Sequence, residues 1–167
     1  IIVTLFFGCS NGNLNDKDKF ITNLLSEMTL MEKIGQLNQY SSFFDVTGPA
    51  PNKGEDSLKY EQIKQGLVGS VLNVSGVKDV RALQKLAIEN SRLKIPLLFA
   101  LDVIHGYKTI SPIPLAESAS WNLGLIQKSA SMAAREAAAS GINWTFAPMV
   151  DISRDARWGR VMEGGGE

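Results

Sequence analysis

Phe20, Ile21, Leu24, Leu25 and Met28 recur at three- and four-residue intervals. That spacing places apolar side chains on one face of an α-helix. Thr29-Leu30-Met31-Glu32 has the form of a capping box, so a second short helix starts there, with Ile34 and Leu37 on one side. Gly48, Pro49, Pro51 and Gly54 mark residues 41–57 as loop. The pattern then changes. Three near-continuous apolar runs, 67–74, 97–101 and 142–147, read as strands, and Pro96 and Pro148 punctuate the chain around them. Helical stretches separate them. Residues 77–92 carry Val77, Val80, Leu83 and Ala87, and residues 122–140 have Asn122 as N-cap and Gly141 as C-terminal stop.

Strands with few polar residues alternating with helices are the signature of parallel βαβ units covered on both sheet faces. The expected class is α/β, the first part of a (β/α)₈ barrel left incomplete, with about three parallel strands. A full barrel takes about 250 residues, and this chain has 167. No G-x-G-x-x-G follows the first strand, so the dinucleotide-binding alternative lacks its fingerprint.

Composition narrows the partners. Lys+Arg and Asp+Glu are 17 each, so the net charge is zero and no nucleic-acid partner is expected. Cys9 is the single cysteine, which excludes an intrachain disulfide. It follows the apolar run Ile1–Phe7 and Gly8 and precedes a polar spacer, in the manner of a bacterial lipoprotein signal whose Cys is lipidated. The other reading is a buried first strand with an inert thiol. The lipoprotein reading makes residues 1–9 a truncated signal segment, 10–16 a linker and 17–167 the barrel domain. It places the protein in the periplasm or outer membrane of a Gram-negative bacterium, with membrane attachment through Cys9.

Chemistry in parallel α/β folds sits at the carboxyl ends of the strands. Asn73 and Ser75 follow the first run; Asp102, His105 and Tyr107 the second; Asp151, Arg154, Asp155, Arg157 and Arg160 the third. Asp102 directly follows five apolar residues. It reads either as a desolvated acceptor for two sugar hydroxyls or as a structural cap of its loop. His105, the lone histidine, reads as an acid–base group or as a satisfied structural residue. No Cys, Asp or Glu stands at ligand spacing from it, so no metal is expected. Each arginine offers bidentate recognition of an anion or of paired hydroxyls. The competing reading is an internal salt-bridge cluster of Asp151, Arg154, Asp155 and Arg157, with Glu163 accepting from an arginine. Trp158 reads as a stacking surface or as core.

Phe99-Ala100-Leu101-Asp102-Val103-Ile104-His105-Gly106, Pro112–Ala116, Asn143–Asp151 and Arg154–Arg160 resemble glycoside hydrolase family 3, and within it the periplasmic-type β-glucosidases. The resemblance runs from about residue 17 to 167. It implies a (β/α)₈-like first domain followed by an α/β sandwich. It implies release of terminal β-linked glucose or xylose with retention, which uses a nucleophilic carboxylate and a separate acid/base about 5 Å apart. By motif position Asp102 and Arg160 bind the terminal sugar, while His105, Arg154, Asp155 and Arg157 support the loops. The family's nucleophile and acid/base fall after residue 167, so no catalytic residue is assigned in this chain. Ser111 and Gly165 depart from the family pattern, which has a bulkier and a less flexible residue there. The expected protein is the N-terminal fragment of a retaining exo-acting β-glucosidase, inactive alone, poorly folded alone, without cofactor. The alternatives are a short non-catalytic sugar-binding protein and a phosphate-binding barrel.

Overall fold

The computed structural model describes residues 15–41 and 55–166. The signal-like segment with Cys9, most of the polar spacer and most of the 41–57 loop lie outside the described residues.

Asn15 caps α1 (Asp16–Glu27) through its side-chain oxygen, which accepts from the Asp18 amide at 2.9 Å. Thr29 caps α2 (Leu30–Gly35) reciprocally. Its hydroxyl accepts from the Glu32 amide, and the Glu32 carboxylate accepts from the Thr29 amide. This is the capping box expected from the sequence. Glu32 also receives Arg92 Nε and Nη2 at 3.1 and 2.6 Å, while Arg92 donates to the Glu27 carbonyl. One ion pair thus ties the first two helices to the segment just after the helix Val77–Asn90, across 60 residues.

Four strands follow in register: β1 (Gln39–Ser41), β2 (Ser70–Leu72), β3 (Leu98–Leu101) and β4 (Trp144–Thr145). All pairings are parallel and the spatial order is β1-β2-β3-β4. The second, third and fourth coincide with the three expected apolar runs. The sequence reading missed β1. Gln-Tyr-Ser carries no apolar run, and its pairing with β2 is what makes it a strand. It also left α3 (Glu55–Lys64) without a helix assignment.

A strand order that follows chain order means the sheet winds in one direction. A doubly wound sheet must reverse somewhere, and this one does not. The helices accordingly share a face. Ile63 of α3, Leu83 and Ala87 of α4 (Val77–Asn90), and Ala133 and Ala137 of α6 (Leu123–Ala139) form one core with Val71 and Phe99 of the sheet. Val71 and Phe99 are register partners, so they point to the same side. The opposite face, with Leu98 at 47% and Trp144 at 39% exposure, is half open. A closed barrel packs its interior layers on that face.

Asn122 caps α6 by accepting from the Leu125 amide at 3.0 Å. Gly141 ends the helix with φ +89, and a Cβ there would sit 2.8 Å from Val80 Cγ1. Both the left-handed turn and the approach of α4 therefore require glycine.

Candidate functional site

The carboxyl ends of β3 and β4 supply the site. Asp102 is the first residue beyond β3. Its side chain is exposed and makes no hydrogen bond or ion pair with any described residue. Of the two expected readings the structural cap is corrected here, and the carboxylate is exposed rather than desolvated. Asp102 faces solvent at the rim of the sheet, and it caps no described backbone group. Both oxygens are open to a ligand.

The loop after Asp102 is built to hold that position. Gly106 pairs with Ile110 across a one-residue bridge, and the Ser111 amide donates to the His105 carbonyl at 2.9 Å. Gly106 has φ +93 and a Cβ would lie 2.1 Å from the Thr109 carbonyl oxygen, so the tight loop admits only glycine. Glu136 of α6 accepts from the Lys108 and Thr109 amides, both at 2.8 Å, and from the Thr109 hydroxyl at 2.7 Å. The Thr109 hydroxyl first, then the backbone amides, hold the Glu136 carboxyl below its usual range. Sequence reasoning missed this clamp. Glu136 lies 27 residues from Thr109, and no spacing rule links a glutamate in the last turn of a helix to a distant loop.

His105 is half-buried, and its Nδ1 is buried without a hydrogen-bond partner. Its charge environment includes Glu163. It therefore borders the arginine loop without being bonded to it by that nitrogen.

The three arginines separate into different roles. Arg157 folds onto Asp155, whose carboxylate takes the Arg157 amide at 2.9 Å and Nε at 3.0 and 3.1 Å. Those bonds hold Asp155 below the usual carboxylate range. This pair is exposed and braces only its own turn. Arg154 is exposed and pairs with no described residue. The internal cluster thus reduces to Asp155–Arg157, with neither Asp151 nor Arg154 joining it. Trp158, 37% exposed, is not core.

Arg160 stands apart. Its Nε and Nη2 donate to one oxygen of Glu163 at 2.9 and 2.6 Å. Glu163 is three residues on, at the end of a 3₁₀ turn (Val161–Glu163). The bonds from Arg160 hold the Glu163 carboxyl below its usual range. The charges of Asp102 and Asp151 act on the same guanidinium. The structure therefore brings Asp102, His105, Arg160 and Glu163 to one rim, and leaves Arg154 and the Asp155–Arg157 pair outside that group.

Ser111 and Gly165 line one cavity of about 730 Å³, walled by the alanine-rich face of α6 and by Trp144, and none of the four rim residues is in its lining. Inside it the Ser129 hydroxyl donates to Glu117 of α5 (Pro114–Ser118). Two small residues at separate loops thus open the same space. Among the described residues no group of His, Cys, Asp and Glu gathers that would hold a metal ion.

A singly wound parallel sheet with a free carboxylate and an oriented guanidinium at its carboxyl rim defines part of an α/β barrel, a fold class whose chemistry sits at that rim. The chain belongs to glycoside hydrolase family 3: the model of the Glycosyl hydrolase family 3 N terminal domain matches residues 29–167. It is 45% identical to a periplasmic β-glucosidase of Salmonella typhimurium over 90% of this chain and 19% of the relative. It is 32% identical to a β-xylosidase of Formosa agariphila over 90% of this chain and 16% of that protein. Among solved structures, a β-glucosidase of Listeria innocua in complex with isofagomine superposes with a TM-score of 0.74 and 43% identity, covering 89% of this chain and 20% of that one. The Listeria enzyme has also been solved with glucose and, as a mutant, with laminaribiose. The chain thus spans about a fifth of the length of these relatives. Its barrel is the partial N-terminal domain of the family.

Proposed function

We propose that this chain supplies the sugar-gripping rim of a retaining, exo-acting β-glucosidase. Asp102 accepts hydrogen bonds from two hydroxyls of the terminal sugar, and Arg160 donates to another. The observation that carries this reading is the pairing of an unengaged, exposed carboxylate with a pre-oriented guanidinium at one strand-end rim. A vicinal diol suits that pair, since the carboxylate only accepts and the guanidinium only donates. A phosphate-binding reading is disfavoured by Asp102, whose charge repels an anion at the same place. The glucose and laminaribiose complexes of the Listeria enzyme favour glucose as the sugar; the Formosa relative keeps xylose as the second candidate.

The nucleophile and acid/base of the proposed reaction come from outside these 167 residues, so no turnover is expected of the chain alone. The test is hydrolysis of 4-nitrophenyl β-D-glucoside and β-D-xyloside by the full-length enzyme and by this chain, with the anomer of the first product read by NMR. Hydrolysis with retention by the full-length enzyme and none by the chain is expected. An inverted product, or turnover by the chain alone, would overturn the assignment. A short non-catalytic sugar binder would instead show glucose binding with no full-length activity.

A further inference from the structure

Arg160 is one cation among three carboxylates. Glu163 holds two of its N–H groups, while Asp102 and Asp151, which follow the neighbouring parallel strands β3 and β4, stand at the same strand ends and are not bonded to it. Glu163 holds the arginine because the backbone holds Glu163. The Val161 amide donates to the Trp158 carbonyl at 3.1 Å and the Glu163 amide to the Arg160 carbonyl at 3.0 Å. The next residue, Gly164, is buried and pairs with Met149 just beyond β4. The turn is thereby anchored to the sheet, and the glutamate leaves it at a fixed position.

A guanidinium has five N–H donors in a rigid plane. Glu163 engages one from Nε and one from Nη2 with a single oxygen, so the second Nη2 hydrogen and both Nη1 hydrogens remain at the terminal end of the plane. Asp102 meanwhile keeps all its acceptor sites. We infer that Glu163 is a positioning residue for sugar binding: it holds Arg160 away from Asp102 and Asp151, so that the guanidinium and the Asp102 carboxylate stay open to the same sugar.

Without the Glu163 charge, Arg160 has two other carboxylates to turn to. Pairing with Asp102 would occupy both sugar-binding groups with each other. Pairing with Asp151 would draw the cation off the rim. Either outcome weakens sugar binding without touching the groups that break the bond. The inference rests on the reading of Asp102 and Arg160 as the grip.

The experiment is a double-mutant cycle in the full-length enzyme: wild type, Glu163→Gln, Glu163→Asp, Arg160→Met and Glu163→Gln/Arg160→Met, assayed on 4-nitrophenyl β-D-glucoside with glucose as competitive inhibitor. Glu163→Gln is expected to raise KM and the glucose inhibition constant together, and to lower kcat/KM roughly 10- to 100-fold, as displacing a positioned group does. In the Arg160→Met background the same substitution should cost little, because Glu163 acts through Arg160. A role confined to the turn's stability would cost the same factor in both backgrounds, and that result overturns the inference. Should Glu163→Gln fail to fold, Glu163→Asp, which keeps the carboxylate but shortens its reach by one methylene, is expected to raise the glucose inhibition constant in the wild-type background and to leave it nearly unchanged in the Arg160→Met background; an equal rise in both overturns the inference. If Arg160→Met keeps wild-type kcat/KM, the grip itself is wrong. If Arg160→Met is impaired and Glu163→Gln is not, only the positioning role is wrong.

Discussion

Asp102 and Arg160, the two proposed sugar-binding groups, stand on opposite sides of hydrogen-bond chemistry, one accepting and one donating, and each is kept available by a different device. Asp102 is available because nothing in its loop bonds it; Arg160 is available because a neighbour fixes half of it. Asp102→Asn in the full-length enzyme keeps the shape and removes the charge from two hydrogen bonds. Charge-assisted bonds of that kind predict a loss in kcat/KM of roughly 10²-fold or more, measured with the aryl β-glucoside; kinetics within threefold of wild type would refute the role. The sequence showed which residues reach the rim, because residues following an apolar run in a parallel sheet go there. It did not show their partners. The exposure of Asp102 and the sorting of three arginines into a brace, a free cation and an oriented donor depend on loop geometry that spacing does not encode.

At the scale of elements, side chains close helices where the sequence announced them: Thr29 with Glu32, and Asn122 ahead of α6. Those signals are local and so were legible. The Glu32–Arg92 pair is not local, and it makes the docking of α1 and α2 dependent on acidity. The hydrogen bonds from Arg92, then from the Thr29 amide, lower the Glu32 pKa from 4.5 to about 2. A carboxyl with a lower pKa in the folded than in the unfolded chain stabilises the fold above its unfolded value and loses that contribution as pH falls through the folded one. The contribution is therefore complete above about pH 5, erodes below it and is gone near pH 2. Glu32→Gln should lower the melting temperature of the full-length enzyme at pH 7 and change it far less near pH 2.5, as differential scanning fluorimetry would record. An equal drop at both values would show that the charge is not what matters. β1 was the element that sequence could not reveal. Three residues without an apolar run become a strand only because β2 offers a register, which is tertiary context overriding local preference.

For the whole molecule, the order β1-β2-β3-β4 matters more than the number of strands. It commits the helices to one face and leaves the other to line a barrel interior, where Leu98 and Trp144 are now half exposed. Among the described residues β1 and β4 each pair on one side only, and Phe20, Leu30, Leu37, Trp121 and Val150 are well exposed. Open parallel edges beside exposed apolar surface favour association. The purified 167-residue chain should therefore scatter light increasingly with concentration and melt without a cooperative transition; a sharp, concentration-independent transition of a monomer would contradict this. The parallel βαβ units were readable from the alternation of strands and helices, whereas the one-way winding and the extent of the open face emerged only from the strand order and packing. Glu136 adds a consequence for anyone moving pieces between members of the family. Because one carboxylate of α6 carries the backbone of the loop that follows Asp102, loop and helix are inherited together. A transplant of residues 102–111 into another scaffold will keep its shape only if the recipient brings a glutamate in the same place.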